Sequence, residues 1–213
     1  SLAKYTSTGA HVWSQRFGDT TPDGGYAVAV DASGNVFVSG FFSGTVNFGG
    51  GDLVASGVGQ DIFLAKYNPG GVHLWSQHFG SGTNNVGRGL AVDASDNVFV
   101  TGTFRDLVDF GGGNLASAGS GDIFLAKYSA AGAHLWSQRF GDTSFDNGYG
   151  ISVDGSGNVF ATGTFRGTVD FGGGSFVSAG LNDIYVAKYN SAGVHQWSHR
   201  FGSTGDDFAY SVA

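Results

Sequence analysis

The sequence contains no cysteine, no methionine and no glutamate, and only two of its 213 residues are proline. Without cysteine, the chain can form neither a disulfide nor a metal site with thiolate ligands. Because glutamate does not occur, all 17 acidic residues are aspartate. No long segment repeats its apolar residues with the 3.6-residue period of an amphipathic helix. The composition and the missing period together predict essentially no α-helix.

Positive charge is also scarce, with ten lysine and arginine residues and a net charge of −7 at pH 7. The basic residues form no run, which argues against nucleic acid and anionic membrane surfaces as partners. No apolar run approaches the roughly 20 residues that a membrane-spanning helix needs, so we expect no membrane insertion. There is no signal peptide and Ser1 falls within a strand pattern, so we expect the sequence to be part of a longer polypeptide.

Glycine and aromatic residues are abundant instead, with 39 glycines and an aromatic share of 15%. This composition is typical of β-strands joined by many turns. A segment of twenty residues occurs at 61–80, 122–141 and 183–202, and in shortened form at 1–18. Tryptophan marks the repeat at intervals of 62, 61 and 61 residues, at Trp13, Trp75, Trp136 and Trp197. A fixed period of this length indicates a repeat architecture.

Each period contains four short strand patterns and, between the second and third, a segment that looks like a small extra hairpin. Four antiparallel strands joined by short connections predict one blade of a β-propeller. We therefore predict an all-β propeller with about 3.5 repeats of 61–62 residues. The small residues of the first strand belong near the axis, and Trp75 and Trp136 should be buried against a neighbouring blade. The predicted divisions are a half-blade at 1–18, repeats at 19–80, 81–141 and 142–202, and a partial repeat at 203–213.

One segment resembles a known family. Residues 89–102 read Gly-Leu-Ala-Val-Asp-Ala-Ser-Asp-Asn-Val-Phe-Val-Thr-Gly, and Asp-Ile-Phe-Leu-Ala-Lys-Tyr follows at 122–128. This pattern is similar to the SBBP repeat of bacterial seven-bladed β-propellers, and the likeness covers nearly the whole chain. The resemblance implies a secreted or cell-surface bacterial protein, commonly large and multidomain, and it transfers no catalytic residues. The Asp-Phe-Gly-Gly-Gly stretch at 109–113 makes this repeat longer than the simplest family unit.

The most informative polar positions lie just before and within the first strand of each repeat, the only radius at which equivalent residues of several blades can approach one another. The first set is Asp23, Asn85, Asp146 and Asp207, and the accompanying set is Tyr26, Arg88, Tyr149 and Tyr210. A ring of such side chains around an axial mouth could bind a cation, a sugar or a peptide side chain. Asx turns that cap the strand start are the competing interpretation. Arg88 is the only residue of the accompanying set that is not a tyrosine.

Three further residue types recur at the same position of every repeat, and we call each such set a column. We interpret all three columns as structural. The histidines at 11, 73, 134 and 195 lie on outer strands, too far apart to share a metal. The serines three residues later should point to the opposite strand face, so we predict no His–Ser contact and no catalytic role. The lysines at 4, 66, 127 and 188 are predicted to be solvated strand-edge residues, with a repeated anion or glycan contact as the alternative.

The turn at Asp31, with its copies at Asp93 and Asp154, resembles the opening of a calcium loop. An EF-hand loop ends with a glutamate, which this chain lacks, so Asx turns are the favoured interpretation. We predict no metal site and no cofactor, with calcium kept as an alternative.

These observations favour a non-enzymatic extracellular scaffold or recognition module that binds a protein or glycan partner on one face. A multivalent lectin with one sugar site per blade is one alternative. An enzyme, such as a lyase or hydrolase acting at the axial mouth, is the other. Because incomplete blades leave apolar faces open, we expect self-association as a homodimer or, slightly favoured, a longer parent chain that completes the propeller.

Overall fold

The structure is a computed structural model that describes residues 1–213, and all of its regular elements are β-strands. It contains no helix, and hence none long and apolar enough to cross a membrane. A two-stranded half-blade is followed by three blades of four antiparallel strands each, which confirms the predicted propeller architecture. The half-blade consists of β1 (Leu2–Tyr5) and β2 (His11–Gln15).

The three blades repeat the same strand order across the sheet, from the first strand to the fourth. The first blade contains β3 (Gly24–Val30), β4 (Val36–Phe42), β7 (Asp61–Tyr67) and β8 (His73–Phe79). The second contains β9 (Val86–Val92), β10 (Val98–Phe104), β13 (Asp122–Tyr128) and β14 (His134–Phe140). The third contains β15 (Asn147–Val153), β16 (Val159–Phe165), β19 (Asp183–Tyr189) and β20 (His195–Phe201).

The small extra hairpin is present in every blade, between the second and third strands. The three hairpins are β5 (Thr45–Asn47) with β6 (Asp52–Val54), β11 (Leu107–Asp109) with β12 (Asn114–Ala116), and β17 (Thr168–Asp170) with β18 (Ser175–Val177). Each hairpin carries a buried phenylalanine onto the blade. Phe110, for example, stacks on Phe124 with ring centroids 4.6 Å apart, and its carbonyl oxygen accepts a hydrogen bond from Tyr128 Oη.

The hydrophobic core lies between the blades. One buried cluster joins Phe37 and Leu64 of the first blade to Val100 and Phe124 of the second. An equivalent cluster joins the second blade to the third, and a smaller one joins the half-blade to the first blade. A blade is apolar on both faces, so each one needs its neighbours to remove those faces from water.

The first strands lie innermost and pack against one another, β3 against β9 and β9 against β15. Their glycines allow this approach: a Cβ atom on Gly89 would lie 2.8 Å from the carbonyl oxygen of Tyr149 in the next blade. In the same way, a Cβ atom on Gly150 would lie 3.0 Å from the carbonyl oxygen of Tyr210. Small residues are therefore needed where the blades converge on the axis.

Candidate binding site at the axial mouth

A β-bulge interrupts the first strand of every blade at the same position. In β3, pairing passes from Gly25 opposite Gly40 to Ala27 opposite Ser39, which leaves Tyr26 without a partner. The same irregularity leaves Arg88 unpaired in β9 and Tyr149 unpaired in β15. A bulge turns a side chain away from the regular alternation of the strand. The three bulge residues are thus aimed differently from their neighbours, and all three belong to the predicted site.

The bulge residues of successive blades stack on one another. The Arg88 guanidinium carbon lies 5.3 Å from the ring centroid of Tyr26 and 5.3 Å from that of Tyr149. The rings of Tyr149 and Tyr210 follow with centroids 5.2 Å apart. We call these four residues, Tyr26, Arg88, Tyr149 and Tyr210, the axial ladder. The structure therefore brings together this half of the predicted site, with an arginine held between two tyrosine faces.

The axial ladder is accessible, and its arginine is not neutralised. Tyr26 is 54% exposed and Tyr210 is 67% exposed, while Arg88 and Tyr149 are half-buried. Arg88 takes part in none of the ion pairs of the chain. Its Nε is buried without a hydrogen-bond partner. Stacking uses the two faces of a guanidinium, so the N–H donors of the terminal Nη groups are those left for a ligand.

The second half of the predicted site does not form a ring of carboxylates. Asp146 is fully buried, and its two oxygens accept hydrogen bonds from the N–H groups of Asp142 and Arg166 at 3.1 and 2.9 Å. Asn85 is also fully buried and accepts from the Arg105 N–H at 2.9 Å. Asp23 and Asp207 accept from backbone N–H groups four residues earlier, at 3.2 and 2.8 Å. Asp23, Asn85 and Asp146 also accept from the N–H group just after the second strand, and so fasten the connection between blades to the end of that strand.

The environment of Asp146 changes its acidity. Burial raises the pKa of this carboxyl to about 7, although the two backbone hydrogen bonds act in the opposite direction. The nearby carboxylates of Asp142 and Asp122 raise it further. Burial also raises the pKa of Asp122. Asn85, which holds the equivalent connection without any charge, shows that the position requires hydrogen-bonding geometry and no negative charge.

The prediction for the lysine column is wrong. Lys66 and Lys127 are buried, because the third strand of a blade has neighbours on both sides and is not an edge. Lys127 Nζ donates a hydrogen bond to the carbonyl oxygen of Ser191 in the next blade at 3.1 Å. It also lies 3.4 Å from Asp93 Oδ2 and 4.7 Å from the centre of the Phe99 ring. Lys66 and Lys127 thus join adjacent blades, and each of them is paired with an aspartate.

The tryptophan column is half-buried, so the prediction that Trp75 and Trp136 would be buried against apolar side chains was too simple. Each ring lies against a glycine of the next blade; a Cβ atom on Gly132 would lie 3.2 Å from the Trp75 ring. Each indole N–H donates to the carbonyl oxygen that the lysine also uses, as Trp136 does to Ser191 at 3.2 Å. Trp197, with no further blade against it, is 38% exposed.

The prediction that histidine and serine do not meet is also wrong. His73 Nε2 lies 3.0 Å from Ser76 Oγ, and the copies at His134 and His195 show the same pair at 3.1 Å. The cause is a second bulge, because β8 passes from Trp75 opposite Lys66 to His73 opposite Tyr67 and leaves Leu74 unpaired.

The groups around these His–Ser pairs indicate that the pairs have a structural role. A Cβ atom on Gly50 of the small hairpin would collide with the His73 ring, so the histidine packs against the glycine turn. Burial lowers the pKa of His73 and of His134. The histidine that contacts a carboxylate in this chain is His78, beside Asp61, and it is not part of the column. A catalytic pair needs a third group that orients the base, and none contacts these histidines.

The turn aspartates resemble calcium ligands in sequence but make local bonds in the structure. Asp31 Oδ1 accepts hydrogen bonds from the N–H groups of Ser33 and Asn35 at 3.0 and 2.8 Å. Its Oδ2 accepts from Asn35 Nδ2 at 2.7 Å and lies 3.4 Å from Lys66 Nζ. No group of three or more histidine or aspartate side chains in the chain has an arrangement that could hold a metal ion.

One set of buried charges was missed by the sequence analysis. Asp61, Asp122 and Asp183 begin the third strands, are fully buried, and each leave Oδ1 without a hydrogen-bond partner. Oδ2 of Asp122 pairs with Arg139, and that of Asp183 pairs with Arg200. The repeated aspartate before each Ile-Phe-Leu or Ile-Tyr-Val run was the available signal. Their role is structural, since they connect the third and fourth strands of a blade.

Comparison with known proteins agrees with this architecture. Residues 135–164 match the beta-propeller repeat family SBBP, over β14, β15 and most of β16. Residues 135–164 therefore carry an SBBP propeller repeat. The match confirms the resemblance noted in the sequence. The matched segment begins in the outermost strand of the second blade and ends in the second strand of the third blade.

Three curated proteins are similar to this chain over longer stretches. An uncharacterized WD repeat-containing protein of Acanthamoeba polyphaga mimivirus is 27% identical over 92% of the chain and 17% of its own length. The regulatory protein FlaEY of Caulobacter vibrioides is 24% identical over 70% of the chain and 16% of its length. A bifunctional autolysin of Staphylococcus epidermidis is 32% identical over 43% of the chain and 7% of its length. The chain thus spans less than a fifth of each relative.

Proposed function

We propose that this propeller is a non-enzymatic recognition module of an extracellular protein, and that its axial mouth binds a protein or glycan partner through a carboxylate group. The observation that carries the proposal is Arg88, which lies between Tyr26 and Tyr149 with its two terminal Nη groups in no ion pair of the chain. Arginine in such a position favours a planar anion that accepts two parallel hydrogen bonds.

The other repeated polar side chains support this assignment because they already have partners within the protein. The lysines and tryptophans of the interior boundaries bind the carbonyl oxygens of the next blade. The turn aspartates bind their own backbone, and the histidines bind serine. The axial ladder, in contrast, combines accessible aromatic faces with a cation that has no counter-ion.

A non-catalytic role is favoured over an enzymatic one by the environment of the His–Ser pairs. They are repeated in three blades without an orienting carboxylate. A lectin with one sugar site per blade is less well supported, because the interior tryptophan rings lie against glycine backbone of the next blade. The extracellular location rests on the resemblance to secreted and surface propellers. The WD repeat-containing relative is consistent with a role in protein interaction.

The test is binding to arrays of acidic and neutral peptides and glycans. We compare the unaltered chain with Arg88→Gln and with Arg16→Gln, which removes one exposed positive charge elsewhere. The proposal expects the unaltered chain and Arg16→Gln to retain at least one carboxylate-bearing probe that Arg88→Gln no longer retains. Equal binding by all three proteins, or the absence of any acidic binder, would contradict it.

Exposed apolar faces support the further proposal that additional blades cover both ends of this array, supplied by a second copy or by a parent chain. Val28 and Val30 of β3 are more than half exposed, as is Phe201 of β20. A mainly apolar groove of about 280 Å³ runs between the half-blade and β3, beside Leu2, Trp13 and Val28. Light scattering should give a mass well above the 21.9 kDa of one chain. A stable monomer would contradict this proposal.

A further inference from the structure

A polar cavity of about 540 Å³ lies where the second blade meets the third, outside the axial ladder. The residues that matter for its chemistry are Ser144, Phe145, Asn147, Arg166, Asn182 and Phe208. It opens beside the connections that lead into the first strands. Its volume falls within the range of about 300–1,000 Å³ that small-molecule sites occupy. No residue of the axial ladder lines this cavity, so the two sites are distinct.

One wall of the cavity, Phe145, is a residue that breaks the repeat. The position of Phe145 is occupied by Pro22, Asn84 and Asp206 in the other repeats. Stacking of blades explains residues that recur in every repeat, but it does not explain an exposed phenylalanine found in one repeat only. Phe145 is 37% exposed, and its backbone is fixed by a parallel bridge to Gly121. Arg105 lies 5.2 Å from its ring centre. This aromatic wall is therefore specific to one blade boundary.

The polar lining presents donors and carries positive charge. Arg166 forms no ion pair, and its backbone is held at the cavity because its own N–H donates to Asp146. Asn147 is only 6% exposed, and its Oδ1 accepts a hydrogen bond from Thr103 Oγ1 at 3.0 Å. With that oxygen engaged, the amide nitrogen of Asn147 is the group left to bind a ligand. No aspartate lines the cavity itself, but the amide of Asn182 is not available to a ligand because its Nδ2 donates to Asp206 Oδ1 at 2.6 Å.

We propose that this cavity binds an acidic monosaccharide such as a hexuronate. The Arg166 guanidinium pairs with the sugar carboxylate. The Asn147 amide and the Ser144 hydroxyl bind the ring hydroxyls, and the apolar face of the sugar packs against Phe145 and Phe208. Phe208 is 47% exposed and stacks on Tyr210 with the two ring planes inclined by 6°. A neutral sugar would leave Arg166 without a counter-ion, so the carboxylate determines selectivity.

The experiment is a calorimetric titration of the intact chain with glucuronate and with glucose. The proposal expects glucuronate to bind about tenfold more tightly than glucose, the value of one charge-assisted contact. Arg166→Gln should reduce glucuronate affinity to that of glucose. Phe145→Asn, which introduces the residue of the first-to-second blade connection, should weaken both sugars.

The controls separate this site from the axial ladder. Arg16→Gln removes an equal charge outside both sites and should leave glucuronate affinity unchanged. Failure to bind glucuronate, or binding that survives Arg166→Gln, would overturn the proposal. Loss of glucuronate binding in Arg88→Gln with retention in Arg166→Gln would also overturn it, since it would place the sugar on the axial ladder.

Discussion

Lys127 Nζ donates a hydrogen bond of 3.1 Å to the carbonyl oxygen of Ser191, 64 residues later in the next blade. The indole N–H of Trp136 donates to the same oxygen at 3.2 Å. The equivalent pair, Lys66 and Trp75, binds the carbonyl oxygen of Ala130. One turn carbonyl at each boundary thus receives two side-chain donors, and this contact fixes how successive blades stack.

The first prediction concerns that contact. Lys127→Met keeps the aliphatic stem but removes the charge and the donors, which leaves Asp93 without its buried partner. We expect a loss of about 2–4 kcal/mol in the free energy of unfolding. Lys188→Met is the matched control, because Lys188 pairs with Asp154 at 3.6 Å but has no next blade to bind, so its loss should be at most about 1 kcal/mol. Urea denaturation measures both. Equal losses would show that the contact between blades contributes nothing.

The second prediction isolates the close approach of tryptophan to the next blade. Gly193 has φ of +81°, and a Cβ atom there would lie 3.1 Å from the Trp136 ring and 2.7 Å from Gln138 Nε2. Gly9 occupies the equivalent turn with φ of +83° and has nothing within 4 Å. The positive φ strains an alanine equally at both positions. Only Gly193→Ala also forces the two blades apart, so we expect it to lower the free energy of unfolding by about 1–3 kcal/mol more than Gly9→Ala does. Thermal unfolding of the two variants gives the difference, and identical shifts would contradict the contact.

The third prediction concerns pH. The pKa of Asp146 is about 7 in the folded chain and about 4 in an unfolded one. Between these values the folded state binds more protons, so the contribution of this group to stability falls as pH rises from 4 to 7. Asp146→Asn introduces the residue found at Asn85. We therefore expect the free energy of unfolding of this variant, relative to that of the unaltered chain, to be higher at pH 8 than at pH 5. The change should be on the order of a few kcal/mol.

The check on this third prediction is denaturant unfolding of both proteins at the two pH values. Asp122 lies close by and has a raised pKa of its own, so some slope with pH should remain in the variant. A stability difference between variant and unaltered chain that is the same at pH 5 and pH 8 would show that Asp146 is not the group responsible.

The repeat period, the four-stranded blade and the extra hairpin could be predicted from sequence, because alternation and turn residues are local signals. The placement of Tyr26, Arg88, Tyr149 and Tyr210 near the axis followed from the same pattern. The His–Ser contact could not be predicted, since an unpaired residue such as Leu74 shifts the alternation without a mark in the sequence. The role of Lys127 was missed because its acceptor is a backbone carbonyl, which any residue supplies.

The fourth prediction tests the axial ladder by keeping its charge and changing its shape. Arg88→Lys retains a cation at the bulge but loses the planar group that stacks between Tyr26 and Tyr149. A lysine supplies no bidentate fork, so the substitution is not conservative at such a site. Arg16→Lys is the control for a general effect of the exchange. Both variants should fold as the unaltered chain does, because Arg88 is half-buried and forms no ion pair.

The most direct test of the proposed function is therefore the affinity of Arg88→Lys for the tightest carboxylate-bearing ligand found on the peptide and glycan arrays, measured by calorimetry beside the unaltered chain. If the axial ladder is the recognition surface, affinity should fall at least about tenfold, since a stacked bidentate contact is replaced by a point charge. Arg16→Lys should bind as the unaltered chain does. Unchanged affinity in Arg88→Lys would contradict the assignment of the axial mouth as the binding site.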